Sequence, residues 1–174
     1  MKYYVFALIA SFLLNACCVD CDDYRNYDDV DCKKFNYLTY EALRDTVEIE
    51  EPREIDKAGK IYVYEDLLLV NEKNKGIHII DNSDKKNPNN KKFIKLLGNL
   101  DIAVKDGYLY ADSFMDLLVF DIRDMGDIKK VTRKEKVFPV DPYQVIDNDE
   151  YDFWYSDKCG FDIEKGIIVE VNND

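Results

Sequence analysis

The sequence has little of what catalytic sites are commonly made from. Its one histidine is His78, so the chain cannot build a site that needs two histidine ligands. It also lacks the Gly-x-Ser-x-Gly motif of serine hydrolases and the glycine-rich loops that bind phosphate groups. We therefore predict that the protein is not an enzyme and has no metal site and no cofactor. His78 lies on a predicted strand and is interpreted as a structural residue.

Positive charge is also scarce. The 174 residues include 24 Lys and Arg against 36 Asp and Glu, which gives a formal net charge of −12. Such a surface repels phosphate backbones and argues against nucleic acid as a partner. Hydrophobic residues make up 47% of the chain and aromatic residues 13%, so enough apolar side chains are present for folding. The length predicts one domain.

No hydrophobic run is long enough to cross a membrane as a helix. The most apolar segment, residues 3–14, has 12 residues, whereas a spanning helix needs about 20. Lys2 precedes this segment, and together they have the features of a signal peptide over residues 1–16. An ordinary cleaved signal peptide and an uncleaved short span are the alternatives to the lipoprotein signal considered next.

The residues that follow, Leu14-Asn15-Ala16-Cys17, resemble the lipobox of bacterial lipoproteins. The resemblance implies cleavage before Cys17, a diacylglycerol thioether on its sulfur, and attachment to a membrane through acyl chains. We expect a lipid-anchored protein of the cell envelope, at the outer membrane, on its periplasmic or its surface face.

Four further cysteines would remain in the mature chain: Cys18, Cys21, Cys32 and Cys159. Export places them in an oxidising compartment, where an even number of cysteines favours disulfide bonds. The spacing does not decide which of the three pairings forms. A zinc site is disfavoured, because a tetrahedral site wants a second close cysteine pair or histidines.

Residues 17–57 are interpreted as an acidic, flexible tether. Six aspartates lie within residues 20–31, and no helix or strand periodicity is present there. An acidic cluster directly after the lipidated cysteine is similar to the signal that sends lipoproteins of Bacteroidetes to the cell surface; a charged spacer is the alternative. Residues 37–47 are the one stretch of this segment that could form a short helix.

Residues 58–174 are predicted to form a β-repeat domain. Short β-rich runs alternate there with turn residues such as Lys105-Asp106-Gly107. The predicted strands cover residues 61–64, 67–71, 77–81, 93–97, 101–104, 108–111, 117–122 and 130–137. When the chain is slid along itself by one repeat length, Leu69 falls on Leu109, Ile77 on Leu117 and Asp81 on Asp121.

A period near 40 residues with about four strands per repeat is typical of β-propeller blades. We predict an all-β fold of β-propeller-like blades, with repeats at about residues 66–105 and 106–145. Two blades cannot close a ring, so a partial or open propeller is expected. Its open sheet edges would need cover from residues 18–57, from a second copy through self-association, or from another surface protein.

Three segments of this domain resemble the LVIVD repeat of bacterial surface and outer-membrane lipoproteins: GIHIIDNSDKKNP (residues 76–88), LDIAVKDGYLYADS (residues 100–113) and DLLVFDIRD (residues 116–124). In that repeat an apolar strand ends in an aspartate, here Asp81 and Asp121, which can accept hydrogen bonds from turn amides two and three residues on. The second turn lacks the Ser and Pro of the first. FDIEKGIIVEV (residues 161–171) is similar to the hairpin that follows such repeats, giving a predicted hairpin at residues 160–171.

We therefore predict a non-enzymatic envelope module that binds or scaffolds a protein or glycan partner. The alternative is a glycan-binding or polysaccharide-active component that uses the acidic, aromatic segment at residues 147–155. There Tyr151, Trp154 and Tyr155 would form a platform for a sugar ring. A solvated turn is the simpler interpretation of that segment, because acidic clusters arise readily in so acidic a chain.

Overall fold

The computed structural model describes residues 35–141, 144, 162 and 164–171. The chain divides into two units, Met1–Asp31 and Cys32–Asp174, and every described residue belongs to the second. That unit is mostly β-structure in antiparallel sheets, which confirms the predicted all-β class.

The first described elements lie in the segment predicted to be a tether. Strand β1 (Phe35–Leu38) is followed by helix α1 (Tyr40–Asp45) and strand β2 (Glu48–Glu50). Thr39 caps the helix, because its hydroxyl oxygen accepts a 3.2 Å hydrogen bond from the Ala42 amide. The prediction of a flexible tether is thus wrong for residues 35–50, whereas the short helix expected within residues 37–47 is present.

Five antiparallel strands form the first large sheet. Strands β3 (Ala58–Tyr64), β4 (Leu67–Glu72), β5 (Gly76–Asp81) and β6 (Asn89–Lys95) follow one another along the chain, and β2 pairs with β6 at the far edge. Turns of two and three residues join β3 to β4 and β4 to β5, and a seven-residue loop joins β5 to β6, so neighbours in sequence are neighbours in the sheet.

Four antiparallel strands form the second sheet. They are β7 (Ile102–Lys105), β8 (Tyr108–Ser113), β9 (Asp116–Asp121) and β10 (Lys129–Lys134), again paired in chain order. The strand pairing shows which residues of the two sheets correspond. Leu67 pairs with Asp81 in the first sheet, and Tyr108 pairs with Asp121 in the second, so Leu67 corresponds to Tyr108. Leu69 therefore corresponds to Tyr110, one position beyond the Leu109 expected from the sequence. All eight strands predicted between residues 61 and 137 are present, with small shifts at their ends.

The last strand, β11 (Ile167–Val171), pairs with β1 in a separate antiparallel sheet of two strands. It lies within the segment predicted as a hairpin at residues 160–171, and its partner comes from the other end of the described chain. Leu43 of α1 and Ile167 of β11 are buried in one small cluster with Phe114 and Met115. This cluster joins the terminal elements to the turn between β8 and β9.

The main core lies between the two large sheets, where apolar side chains from both pack in a single cluster. Its buried members are Leu67, Leu69, Ile77, Ile79, Ile94 and Leu96 on one side, and Ile102, Leu109, Ala111, Leu118, Phe120, Ile122 and Ile128 on the other. Burial of this apolar surface is the main force that holds the sheets together.

The two sheets present opposite faces of their corresponding strands to this core. On β5 the odd-numbered residues Ile77 and Ile79 point inward, whereas on β9 the even-numbered residues Leu118 and Phe120 do so. Side chains alternate between the faces of a strand, so the counterparts of Ile77 and Ile79 on β9 point away from the first sheet. The two sheets therefore stack head to tail: corresponding faces point in the same direction, and the front of the first sheet packs on the back of the second.

Candidate functional site

The site residues predicted from the sequence lie outside the described part of the chain. They are the lipid attachment site Cys17, the four cysteines Cys18, Cys21, Cys32 and Cys159, and the aromatic residues Tyr151, Trp154 and Tyr155. Lipid attachment, disulfide pairing and the aromatic surface remain predictions. Within residues 35–141 and the other described positions, no helix has the length and apolar character to span a bilayer. The same residues include no group of three or more His, Cys, Asp or Glu arranged to hold a metal ion.

A cleft of about 450 Å³ lies between the two large sheets. We call it the intersheet cleft. It opens between the β3–β4 turn and the β7–β8 turn, and its walls include Tyr64, Glu65, Asp66, Asp106, Arg123 and Met125. Leu67 and Ile122 supply an apolar floor. The cleft thus combines carboxylates, one guanidinium and apolar surface, as ligand sites commonly do.

Left-handed backbone conformations shape both turns at the mouth of the cleft. Glu65 has φ of 53°, Asp106 has φ of 53° and Gly107 has φ of 76°. Glycine is required at position 107, because a Cβ atom there would lie 2.4 Å from Cγ of Arg123. The Arg123 side chain can therefore lie across the turn, at the rim of the cleft.

Hydrogen bonds tie the two turns to their surroundings in matching ways. The Asn82 amide donates to the Asp66 carbonyl at 2.7 Å, and the Ile122 amide donates to the Gly107 carbonyl at 3.0 Å. One bond crosses between the sheets, from the Gly107 amide to the Tyr64 hydroxyl oxygen at 3.1 Å. Tyr64 therefore fixes the spacing of the two turns that form the cleft.

Among the described residues that line the cleft, Arg123 is the one with a basic side chain, and Asp121 holds it in place. Its Nε donates to Oδ1 of Asp121 at 2.9 Å, and its guanidinium lies 5.1 Å from the centroid of the Tyr108 ring. The side-chain and backbone hydrogen bonds from Arg123 lower the pKa of Asp121 to about 2. With 62% of its side chain exposed, Arg123 has donors available to a bound ligand.

The aspartates at the ends of β5 and β9 form the turns that were predicted for them. Oδ1 of Asp81 accepts from the Ser83 amide at 3.0 Å, and Oδ1 of Asp121 accepts from the Arg123 amide at 3.1 Å. The amides two residues on are thus used as predicted, whereas bonds from amides three residues on do not occur in these two turns. The second turn forms although it lacks the Ser and Pro of the first.

A second aspartate completes each of these turns. Asp84 accepts from the Lys86 amide at 3.0 Å, and Asp124 accepts from the Gly126 amide at 2.9 Å. The hydrogen bonds from the Asn87 side chain and the Lys86 amide lower the pKa of Asp84. Both turns therefore depend on a pair of aspartates three residues apart, a spacing that the sequence analysis did not use.

Sequence reasoning also missed a buried polar junction between the sheets. Nδ2 of Asn71 on β4 donates to Oδ1 of Asn99, and Nδ2 of Asn99 donates to Oδ1 of Asp112 on β8 at 2.8 Å. The Asp112 carboxylate also accepts from the Leu100 and Asp101 amides at 2.8 and 2.9 Å. Burial raises the pKa of Asp112 and outweighs these bonds. The junction fixes the segment that leads from the first sheet into the second.

Two further carboxylates are buried beside arginines. Oε2 of Glu72 lies 2.9 Å from Nε2 of His78 and 3.0 Å from the Arg53 guanidinium. Burial by itself would raise the pKa of Glu72, but the bonds from His78 and Arg53 lower it. His78 is fully buried on β5. Its contacts support the structural role predicted for it.

Asp116 is the other buried carboxylate, and its side chain is fully inaccessible to solvent. Arg44 donates to it at 2.9 Å, Arg133 at 3.0 Å and the Lys136 amide at 3.1 Å. Burial would raise the pKa of Asp116, but these three donors outweigh burial and lower it. The cluster holds helix α1 against the second sheet.

No family model, no curated protein and no solved structure matches this chain.

Proposed function

We propose that this protein is a non-enzymatic binding or scaffold module of the bacterial cell envelope, built from β-propeller-like repeats of the LVIVD type. The observation that carries the proposal is the correspondence between the two large sheets, since each contains four strands paired in chain order. The starts of β4, β5 and β6 recur at β8, β9 and β10 at a nearly constant interval: Leu67 to Tyr108, Gly76 to Asp116 and Asn89 to Lys129.

The front-on-back contact of the two sheets supports a blade-like repeat. In a propeller every blade presents the same face to the next blade, so corresponding residues point in the same direction around the ring. Ile77 and Ile79 face forward onto the second sheet, and their counterparts Leu117 and Val119 face forward away from the first. A two-fold sandwich would instead bury both sets against each other.

The intersheet cleft is the ligand site that this proposal favours. Asp66 and Asp106 line its opening, and Arg123 contributes exposed guanidinium donors. Carboxylates accept hydrogen bonds and guanidinium groups donate them, so a ligand rich in hydroxyl or amide groups fits both. Glycans and extended peptides have that chemistry.

The expected lipid at Cys17 supplies the anchor in this proposal. It would hold the module at the outer membrane, where the cleft can meet an envelope glycan or protein. Intact mass of the full chain expressed in a Gram-negative host, beside Cys17→Ala, tests the anchor. We expect a mature species that begins at Cys17 and carries acyl mass, and loss of that mass in the variant. An unmodified or uncleaved wild-type product would contradict the anchor.

Binding is tested with the full chain on arrays of bacterial glycans and of envelope-protein peptides. Asp106→Asn preserves the shape of the side chain and, since Asn also tolerates a positive φ, preserves the turn. We expect a loss of affinity of about tenfold or more, because a charge-assisted hydrogen bond is lost. Asp127→Asn, at an exposed aspartate paired with Lys129 outside the cleft, is the matched control. Equal affinities of the two variants, or no bound glycan or peptide, would contradict the proposed site.

The second candidate function is glycan binding through the aromatic segment at residues 147–155. The observation that favours it is the presence of Tyr151, Trp154 and Tyr155 among acidic residues, a combination typical of sugar platforms. On the same arrays, Trp154→Ala would abolish binding under this alternative. If the cleft is the site, Trp154→Ala leaves the affinity within about twofold.

A further inference from the structure

The outward-facing side of the five-stranded sheet exposes two large apolar residues on its edge strand β3. Ile61 is 62% exposed and Val63 is 63% exposed. Their counterparts on β7 are Ile102 and Val104, which lie against the core between the sheets. The corresponding residues are therefore apolar in both sheets. Only those of the second sheet are covered, because the first sheet packs against them.

The outward-facing side of the four-stranded sheet shows the complementary pattern. Leu69, Ile77 and Ile79 of the first sheet are fully buried beneath the second sheet. Their counterparts on the second sheet are only half-buried: Tyr110, Leu117 and Val119. We call the surface of the second sheet formed by Tyr110, Leu117 and Val119 the front face, and the surface of the first sheet around Ile61 and Val63 the back face. Each face repeats the residue types of one half of the contact that the chain makes with itself.

Charge distinguishes the two faces. The segment that contains β2 and β3, residues 46–66, has seven acidic and three basic residues. The segment that contains β10, residues 129–136, has five basic residues and one acidic residue. Lys134 pairs in register with Leu117 and so lies on the front face. Lys130 and Arg133 pair with Phe120 and Leu118 and so lie on the core side of the sheet. The segments beside the two faces still differ in the sign of their net charge, which favours contact of a front face with a back face over contact of like faces.

We propose that a second copy of this chain stacks head to tail on the first, with the back face of one copy on the front face of the other. A second copy fits because the chain already makes this kind of contact with itself. The core-facing side of the first sheet, which corresponds to the front face, packs on the side of the second sheet that corresponds to the back face. Two copies supply four large sheets, which is the number in the smallest closed propellers. When two copies close into a ring, the back face of each copy lies on the front face of the other, and neither apolar face stays exposed.

The contact is centred on β3 and β4 of one copy. Farther across the back face, Phe93 is already covered by the Arg53 guanidinium, which lies 3.7 Å from the ring centroid. The Asn90 side chain also donates to the Arg53 carbonyl at 2.8 Å and holds this segment in place. The back face therefore contributes Ile61, Val63 and the half-buried Leu68, and these residues approach β7, β8 and β9 of the other copy.

This inference rests on the proposed correspondence of the two sheets and is independent of the lipid anchor and of the ligand. Sedimentation of the full chain in detergent at increasing protein concentration measures it without any ligand. Loss of glycan or peptide binding by Asp106→Asn with an unchanged dimer would separate the two proposals, as would the reverse result.

The first test compares two valine substitutions. Val63→Lys places a charge in the stacking surface, and we expect the dimer dissociation constant to rise at least about tenfold. Val137→Lys is the matched control, since Val137 is 41% exposed and lies outside both faces. Circular dichroism melts of both variants show whether each is folded. A wild-type chain that stays monomeric at every concentration would overturn the proposal, as would equal effects of the two variants.

The second test locates the contact. A photo-crosslinking amino acid is placed at position 63 of one full-length copy, which is mixed with an isotopically heavy copy. We expect crosslinks from position 63 to heavy peptides within residues 103–119, which belong to β7, β8 and β9. Crosslinks to heavy residues 61–70 would mean that like faces meet, and crosslinks only within the light chain would mean that the chain covers its own back face. Either result would overturn the proposal.

Discussion

The two large sheets are alike in strand order but differ in what covers their faces. Ile102 is 7% exposed and its counterpart Ile61 is 62% exposed, although both are isoleucines on corresponding strands. The difference comes from the first sheet, which covers one side of β7, whereas no sheet of the described residues lies on the outward side of β3. Burial of these isoleucines is therefore set by the position of their sheet in the stack rather than by local sequence.

The sheets also differ in how they hold a buried carboxylate. In the first sheet Glu72 is bound by Lys75 and His78, which follow it closely in sequence, and by Arg53, which lies 19 residues before it. In the second sheet Asp116 is bound by Arg133 and by Arg44, which is 72 residues away on α1. The first cluster therefore ties the segment between β2 and β3 to its own sheet, whereas the second holds a helix from far along the chain.

Loss of the Asp116 carboxylate is expected to have the largest effect. Asp116→Ala leaves the guanidinium groups of Arg44 and Arg133 without their buried partner, which should lower the free energy of unfolding by about 3–5 kcal/mol. Urea unfolding measures the change, and Asp127→Ala, at an exposed aspartate, should stay within about 0.5 kcal/mol of wild type. A small effect of Asp116→Ala would mean that the cluster does not hold α1 in place.

The same carboxylate gives the wild-type chain a dependence on acid. Because the folded state lowers the pKa of Asp116, the stabilisation is present above the unfolded value of about 3.9. It is lost as the pH falls through the lower folded value. Asp116→Ala should therefore show a shallower loss of stability on acidification than wild type.

Truncation of the corresponding isoleucines should sharpen the comparison between the sheets. Ile102→Ala removes side-chain atoms from the core and should lower the free energy of unfolding by about 2–5 kcal/mol. Ile61→Ala should change it by about 0.5 kcal/mol or less at protein concentrations where the chain is monomeric. Equal losses in the two variants would show that the back face of the first sheet is covered within the monomer.

A smaller effect is expected from loss of the hydrogen bond between Tyr64 and Gly107, which links the two sheets at the cleft. Tyr64→Phe removes the acceptor of the Gly107 amide and should lower the free energy of unfolding by about 0.5–1.5 kcal/mol. Tyr62→Phe, also at a tyrosine that packs against the core, is the control. Thermal unfolding followed by circular dichroism measures both variants, and a greater loss in Tyr62→Phe would contradict the role given to Tyr64.

The smallest effect concerns the exposed pair at the rim of the cleft. Arg123→Ala should raise the pKa of Asp121 from about 2 toward the ordinary aspartate value, because the side-chain hydrogen bonds from Arg123 are lost. Carboxyl chemical shifts recorded against pH measure this change, with Asp81, which is bound by Ser83, as the internal reference. An unchanged pKa would mean that Arg123 does not contact Asp121 in solution.

The strands were predictable from the sequence because their signals are local. Alternation of β-formers with Asp, Asn and Gly turns located all eight strands from β3 to β10, and the alignment of Asp81 with Asp121 agrees with the register of β5 and β9. The hydrogen bonds of the turns after β5 and β9 were also predictable, because Asp81 and Asp121 accept from amides only two residues away.

The remaining features depend on contacts between distant residues, which a single sequence does not reveal. Strand β1 has no strong strand signal of its own, and it forms through pairing with β11, which lies at the opposite end of the described chain. The cleft and the Asp116 cluster likewise arise from sheet packing and from a helix docked far along the chain. The acidic composition concealed these buried carboxylates among many exposed ones.

The head-to-tail stacking of the two sheets is tested most directly by methyl-to-methyl nuclear Overhauser effects in the full chain. We predict contacts from methyl groups of Leu69 and Ile77 to those of Leu109 and Leu118, all of which lie in the core between the sheets. At concentrations where the chain is monomeric, methyl groups of Ile61 and Val63 should give no contact to the second sheet. Contacts from Ile61 or Val63 to Leu109 or Leu118 within one molecule would contradict the stacking.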